Sequence, residues 1–379
     1  MNTTTCLRAR TSALLLSLAI TTQIFAQAPS AAPQALALTG AYPGTHDPSI
    51  AFDHGTYYVF ATGAVHPAGP VPPPAPPVPG APAVSRPPTA QLPQFQIRCS
   101  KDMHEWKRCG AVFPQIPEWI QTLSPKTGEL WAPDISYFDG LYHLYYAFSV
   151  FGKNTSGIAL ATNQTLDPAN PKYKWVDRGL VLQSLVTDDF NAIDPNLVLD
   201  AKGQAWLAFG SFWKGIMMRH LDRATGLLSK TDTKIYPLAS RYPGPLLQPR
   251  KPTLPPDTEA VEAPFVFHHG EYYYLFVSFD LCCRGVKSTY RTMVGRSKNV
   301  TGPYVDRDGR PMLEGGGSPV LSANSRWLGP GGESLFDHEG TDYIVFHAYS
   351  AVDGHPALHI STIGWKDGWP EAALEVDGR

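Results

Sequence analysis

The sequence predicts an all-β fold, a five-bladed β-propeller, and three observations predict it. One plan recurs five times: a polar start beside Pro or Gly, a short apolar strand, a turn with Gly, then a strand of alternating apolar residues. The turn glycines, Gly55, Gly140, Gly203, Gly270 and Gly340, stand 85, 63, 67 and 70 residues apart. Between them runs no helical periodicity, so the repeat reads as radially arranged sheets rather than a two-sheet sandwich. Aromatics are abundant, with 9 Trp, 17 Tyr and 17 Phe, as suits many half-buried strands or a surface that stacks on sugar rings.

Taken in order, residues 1–26 read as a signal peptide: Arg8 and Arg10 precede the apolar run Ala13–Ile20, which is too short for a bilayer, and small residues follow at Ala26 and Ala28. This predicts export to the periplasm or medium. Residues 27–36 read as a disordered small-residue linker and 37–379 as the propeller. The first copy runs from His46-Asp47-Pro48 through FDHG to TYYVFATG. It is interrupted by a Pro-rich insertion at 64–94, read as a solvated loop with polyproline character. Trp131-Ala132-Pro133-Asp134, Asn191-Ala192-Ile193-Asp194-Pro195, Glu262-Ala263-Pro264 and Gly332-Glu333-Ser334 open the other copies. A second Pro-rich stretch, Tyr242–Pro256, precedes the fourth.

The formal net charge of −2 argues against nucleic acid or an anionic membrane as partner, and a monomer is the expectation. Once the leader with Cys6 is gone, four cysteines remain. Cys99 and Cys109 flank a hairpin turn and could bridge it, while the adjacent Cys282 and Cys283 could form a small ring or stay as thiols. No spacing resembles a zinc site.

Asp47, Asp194 and Glu262 each stand one or two residues before Pro at the head of a repeat. Asp-Pro often just starts a turn. Three acids at equivalent offsets instead predict carboxylates converging at one mouth of the channel. Clustered acids suit metal ligation or acid/base chemistry, and hydrolysis of a glycosidic bond needs one ionised and one protonated carboxyl. Like charges buried together push pKa values apart. Trp131, Phe212 and Trp213 beside them could stack on sugar faces.

With HDPSI (46–50), ELWAPDI (129–135), NAIDPNL (191–197), SFWKGI (211–216) and EAPFVFHHGEYYYLFVSFDLCCRGVKSTY (262–290), the chain resembles glycoside hydrolase family 43, and within it the endo-α-1,5-L-arabinanases. VGRSKNVTGPY (294–304) and FHAYSAVDGHPALHI (346–360) extend the likeness over almost the whole chain. The resemblance implies a five-bladed propeller and an inverting hydrolase that cuts arabinan, the side chain of pectin, in endo fashion. It implies Asp47 as general base, Glu262 as general acid and Asp194 as the acid that tunes the donor. Substrate contacts would come from Asn191, Ser211, Phe212, Trp213 and Gly157. His347 would help hold a divalent ion, calcium in the family, although calcium prefers oxygen; no organic cofactor is implied. The Pro-rich insertion could close one end of the groove and convert endo into exo action.

Overall fold

The computed structural model describes residues 1, 31–65, 89–241 and 260–375. The expected leader, Ala28 and the cores of both Pro-rich stretches lie outside them. Five sheets form the five blades, with inner strands Ser49–Asp53, Leu130–Phe138, Asn196–Leu199, Val261–His269 and Trp327–His338. Each pairs antiparallel with the next strand across a tight turn. All five turn glycines have positive φ, from 59° to 80°. In three of the turns the preceding residue, His54, Asp139 or Glu339, is left-handed too, as two-residue hairpin loops of the primed type require.

Strand alternation explains the core. Tyr142, Leu144 and Tyr146 pack toward blade 1, against Tyr58, Phe60 and Ile97. Tyr145, one step out of phase, packs toward Leu207 and Phe209 of blade 3. Residues i and i+2 share a face, so a central strand buried on both faces must be apolar throughout. Three further clusters fill the gaps between blades 3 and 4, 4 and 5, and 5 and 1. Truncating a fully buried residue such as Leu144 to Ala would cost about 2–5 kcal/mol.

Polar side chains tie the inner strands to one another around the axis. The Ile135 N–H donates to Ser49 Oγ at 3.0 Å, the Leu197 N–H to Asp134 Oδ2 at 2.7 Å, and the Val266 N–H to Asn196 Oδ1 at 2.8 Å. Ser334 Oγ closes the circle on Pro48 O at 2.8 Å. Between blades 4 and 5, Phe265 stands at the corresponding position, on the apolar side of that interface.

Blade 5 has three strands from the C-terminal part of the chain, and the N-terminal segment supplies its outer edge. Leu36 N–H donates to Ile360 O, Leu358 N–H to Tyr42 O and Gly44 N–H to Pro356 O, all at 2.8–3.0 Å. Arg98, buried in blade 1, clamps the same segment by donating to the carbonyls of Ala41, Pro43 and Gly44. The expected linker therefore ends before Gln34. Leu36 is apolar and packs into the core between blades 5 and 1, which gives the segment a reason to dock. The ends of the first Pro-rich insertion are drawn together, with Ala64 paired to Gln94 and Val65 N–H donating to Pro93 O. They leave blade 1 on the face that carries Asp47, since Thr62, two residues earlier, touches that carboxylate. Both cysteine pairs are disulfides, Cys99–Cys109 across the hairpin and the vicinal Cys282–Cys283.

Candidate active site

Each inner strand enters its blade through a left-handed residue: Asp47 (φ 45°), Ala132 (45°), Asp194 (54°), Ala263 (53°) and Gly332 (59°). For a non-glycine residue this conformation costs about 1–2 kcal/mol, and it occurs at the same place in every blade. All five blades show its consequence. In blades 1 and 3, Thr62 N–H donates to His46 O and Gly210 N–H to Ile193 O. Pairing there resumes after one extra residue, at Ser49 opposite Phe60 and at Asn196 opposite Ala208. In blades 2, 4 and 5, Trp131, Glu262 and Gly331 pair normally, one extra residue follows, and pairing resumes at Asp134, Phe265 and Ser334. Such bulges re-aim side chains at strand ends.

This register corrects the assumed equivalence of the three acids. Asp47 and Asp194 occupy the left-handed position itself, whereas its counterpart in blade 4 is Ala263. Glu262 stands one residue earlier, in step with His46, Trp131, Ile193 and Gly331. At the left-handed position blade 5 needs glycine twice over. A Cβ on Gly332 would lie 2.6 Å from Asp47 Oδ1 and 2.7 Å from the His347 ring.

Asp47, Asp134, Asp194, Ala263, Gly332 and Glu333 line a narrow axial void of ≈ 30 Å³, room for only a few water molecules. Asp47 is held as a carboxylate. Thr62 Oγ1 donates to its Oδ2 at 2.6 Å, His46 Nδ1 lies 2.9 Å from the same oxygen, and His347 Nδ1 is 3.6 Å from Oδ1. Burial alone would raise its pKa; the His46 charge and contact, with His347 and Thr62, outweigh that and bring it to about 2. Thr62 also accepts the Ala132 N–H at 2.7 Å, so one hydroxyl couples the first two blades at the acid.

Glu262 is the opposite case. Burial pushes it up to about 7, opposed by Ser211 and His46 and helped by the Asp47 charge. Ser211 Oγ donates to Oε2 at 2.5 Å, and the Tyr290 hydroxyl donates to Oε1. Asp194 accepts the Ala263 N–H at 3.1 Å, which ties it to the residue after Glu262. Burial, with the charges of Glu262 and Asp47, raises Asp194 as well, so the Asp194–Glu262 pair holds protons in common. The site thus contains one firm carboxylate and one proton-bearing pair.

The match to known proteins fits this geometry. A family model described as glycosyl hydrolases family 43 covers residues 43–370. The chain belongs to glycosyl hydrolase family 43, in its arabinanase branch. It is 39% identical over 86% of its length to an extracellular exo-α-(1→5)-L-arabinofuranosidase of Cellvibrio japonicus, covering 85% of that protein. It is 38% identical over 90% of its length to an extracellular endo-α-(1→5)-L-arabinanase of Bacillus subtilis, covering 92% of it. Among solved structures, an α-L-arabinanase of Cellvibrio cellulosa complexed with arabinohexaose matches with TM-score 0.73 at 38% identity, covering 88% of this chain and 96% of that one.

Within this family 43 chain, the other residues singled out in the sequence fall into distinct settings. Trp131 is partly buried and holds in blade 2 the position of Glu262 in blade 4. Phe212 and Trp213 are consecutive left-handed residues (φ 50° and 42°) in a turn sewn to the Glu262 strand, with Phe212 N–H on Val261 O. Asn191 is buried and accepts Ser156 Oγ–H at 2.7 Å. Ser211 is engaged by Glu262 rather than turned toward open space. Gly157 lies in the third strand of blade 2, where a Cβ would meet the Phe148 ring at 2.3 Å; packing accounts for its being glycine. His347 is fully buried, accepts the Asp47 N–H at 3.2 Å on Nδ1, and among the described residues has no hydrogen-bond partner at Nε2.

Sequence reasoning missed His46, Thr62, Tyr290 and Tyr349, and it gave no part to Asp134 or Glu333. Burial drives both of those carboxyls up to about 7 against their donors, Leu197 and Asn196 for one, Ser278 and Thr292 for the other. Their place beside the left-handed residue was readable once the five copies were aligned on it. Nothing local marks Tyr290 or Tyr349.

Proposed function

We propose that the protein hydrolyses the α-1,5-linked arabinofuranosyl chain of arabinan, in endo fashion and with inversion. The observation that carries this reading is the division of protonation states between Asp47 and Glu262 in one mouth. Asp47 takes a proton from a water, whose oxygen attacks the anomeric carbon. Glu262 gives its proton to the departing glycosidic oxygen, and the bond to that oxygen breaks. Asp194 keeps the donor's pKa raised and, through Ala263, its backbone fixed. Trp131, Phe212 and Trp213 offer faces for sugar stacking, Asn191 an amide for hydroxyl recognition, and Ser211 a hydroxyl that first serves Glu262. Gly157 is the weakest of the proposed contacts, since Phe148 accounts for it.

One donor atom each from His46, Asp47 and His347 lies within 4.8 Å of the others. A divalent cation there would take an oxygen of Asp47 and the His347 ring and complete its shell with water, while His46 Nδ1 keeps its contact to the other Asp47 oxygen. Calcium, the family expectation, takes six to eight oxygens and would find one carboxylate here. Such an ion would add positive potential beside Asp47. Export is part of the proposal: the two relatives are named extracellular, and two disulfides suit an oxidising compartment.

The test is the product profile on linear arabinan, with the anomer followed by proton NMR. Mixed oligomers, a fast fall in viscosity and initial β-configured ends are expected. Initial α-configured ends would end the inverting reading. The exo-acting Cellvibrio japonicus relative supports a second reading, release of one small product without a viscosity drop, and that outcome would replace endo action.

A further inference from the structure

The vicinal disulfide takes no part in the chemistry above, yet it touches the residue that holds the base. Cys283 Sγ is 3.8 Å from His46 Nε2. The Cys283 N–H donates to the Tyr349 hydroxyl at 2.9 Å, that hydroxyl lies 2.6 Å from His46 Nε2, and His46 Nδ1 lies 2.9 Å from Asp47 Oδ2. Because Tyr349 accepts from Cys283, its own proton is free for Nε2. A neutral His46 then carries its proton on Nδ1, facing the carboxylate. His46 is further fixed by stacking on His347, with ring centroids 3.8 Å apart.

We propose that the Cys282–Cys283 disulfide is a positioning element for Asp47, acting through the Cys283 N–H, Tyr349 and His46. The ring closed by the two sulfurs confines the peptide between them. Cys283 sits at φ 66°, a conformation that an unlinked cysteine leaves readily, since it costs about 1–2 kcal/mol. Opening the ring therefore releases the N–H from Tyr349. The rest of the loop has anchors of its own: Thr289 N–H donates to Leu281 O, Leu281 N–H to Thr289 Oγ1, and Arg284 N–H to Ser288 Oγ. Tyr290, which holds Glu262, follows directly. The disulfide thus acts on the base side of the site while the acid side keeps its separate support. The inference rests on Asp47 being the base.

The experiment compares C282A/C283A, Y349F and the combined variant on linear arabinan. Each of the first two is expected to lower kcat roughly tenfold, a fraction of the 10²–10⁴ that a general base contributes, with KM within about twofold. The combined variant is expected to lose no more than either, since both cut one chain. Unchanged kcat in C282A/C283A, or losses that multiply, would overturn the proposal. So would an alkaline activity limb displaced in C282A/C283A, because that would mean that the loop had collapsed onto the Glu262 side. A wild-type protein without arabinan hydrolysis would instead count against the functional reading. In that case the ¹⁵N shifts of the neutral His46 ring decide: Nδ1-protonated in wild type and shifted toward the other tautomer in C282A/C283A supports the chain, and identical spectra refute it.

Discussion

Ser211→Ala separates holding the acid from binding the sugar. The Ser211 hydroxyl donates to Glu262 Oε2 at 2.5 Å in a fully buried setting and lowers a pKa that burial has raised to about 7. A hydrogen bond to a charged acceptor is worth about 1.5–3 kcal/mol, or roughly 1–2 pKa units at 1.36 kcal/mol per unit. Tyr290 remains on the other oxygen and the hydroxyl also serves the protonated acid, so about one unit is the expected rise. The sign follows from the role. Glu262 works protonated, so activity holds below its folded pKa and falls as pH rises through it. Initial rates of reducing-end release on linear arabinan, as kcat/KM from pH 4.5 to 9.5, should show wild type declining near 7 and Ser211→Ala about one unit higher. Glu262→Gln should lose about 10²–10⁴ in kcat and the limb with it. An unmoved limb with a raised KM would mean that Ser211 binds sugar instead. A limb moved to lower pH would refute the electrostatic reasoning altogether.

Gly332→Ala should drive a methyl into Asp47 and His347 and cut kcat at least tenfold while the melting temperature falls only a few degrees; near-normal kcat would show that the two side chains yield freely. Chelation with EDTA, or His347→Ala, should reduce activity together if a cation sits there, with restoration by one divalent ion in the wild type alone. Full activity of thoroughly chelated protein would leave His347 as packing. Stability should decline from pH 5 toward pH 8. Asp134, Glu262 and Glu333 have folded pKa values near 7, above their unfolded values, so the unfolded chain gives up those protons first and gains as pH rises. Thermal melts flat across that range would contradict these shifts. Asp47, held near 2, works the other way, and its contribution is lost only below about pH 4.

The architecture was readable because a propeller writes itself as a period. The turn glycines fall at left-handed positions in all five blades, and alternation predicts which strand face meets which neighbour. The chain-end closure was not readable. Gln34–Gly44 contains little strand signal, and its partners lie more than three hundred residues away at Pro356–Thr362. The acids were visible through Pro, but Pro alone could not say that Glu262 stands one residue before the bulge and Asp47 within it. That offset depends on where pairing breaks, which is a property of two strands.

The same offset bears on why two carboxyls in one mouth differ so widely. Asp47, set into the bulge, turns toward blade 5 and blade 1 partners that favour its charge: the His46 ring, the His347 ring and the Thr62 hydroxyl. Glu262, in the regular ladder one step earlier, lies against Ser211, Tyr290 and the carboxylates themselves, with the His46 charge opposing the rise. Glu262 is buried and Asp47 largely so, with 23% of its side chain exposed, and desolvation alone would raise both. The difference comes from what the bulge lets each one meet. A base that is ionised at every working pH and an acid poised near neutrality follow from a single extra residue per blade, combined with a histidine and a threonine that blade 1 alone supplies.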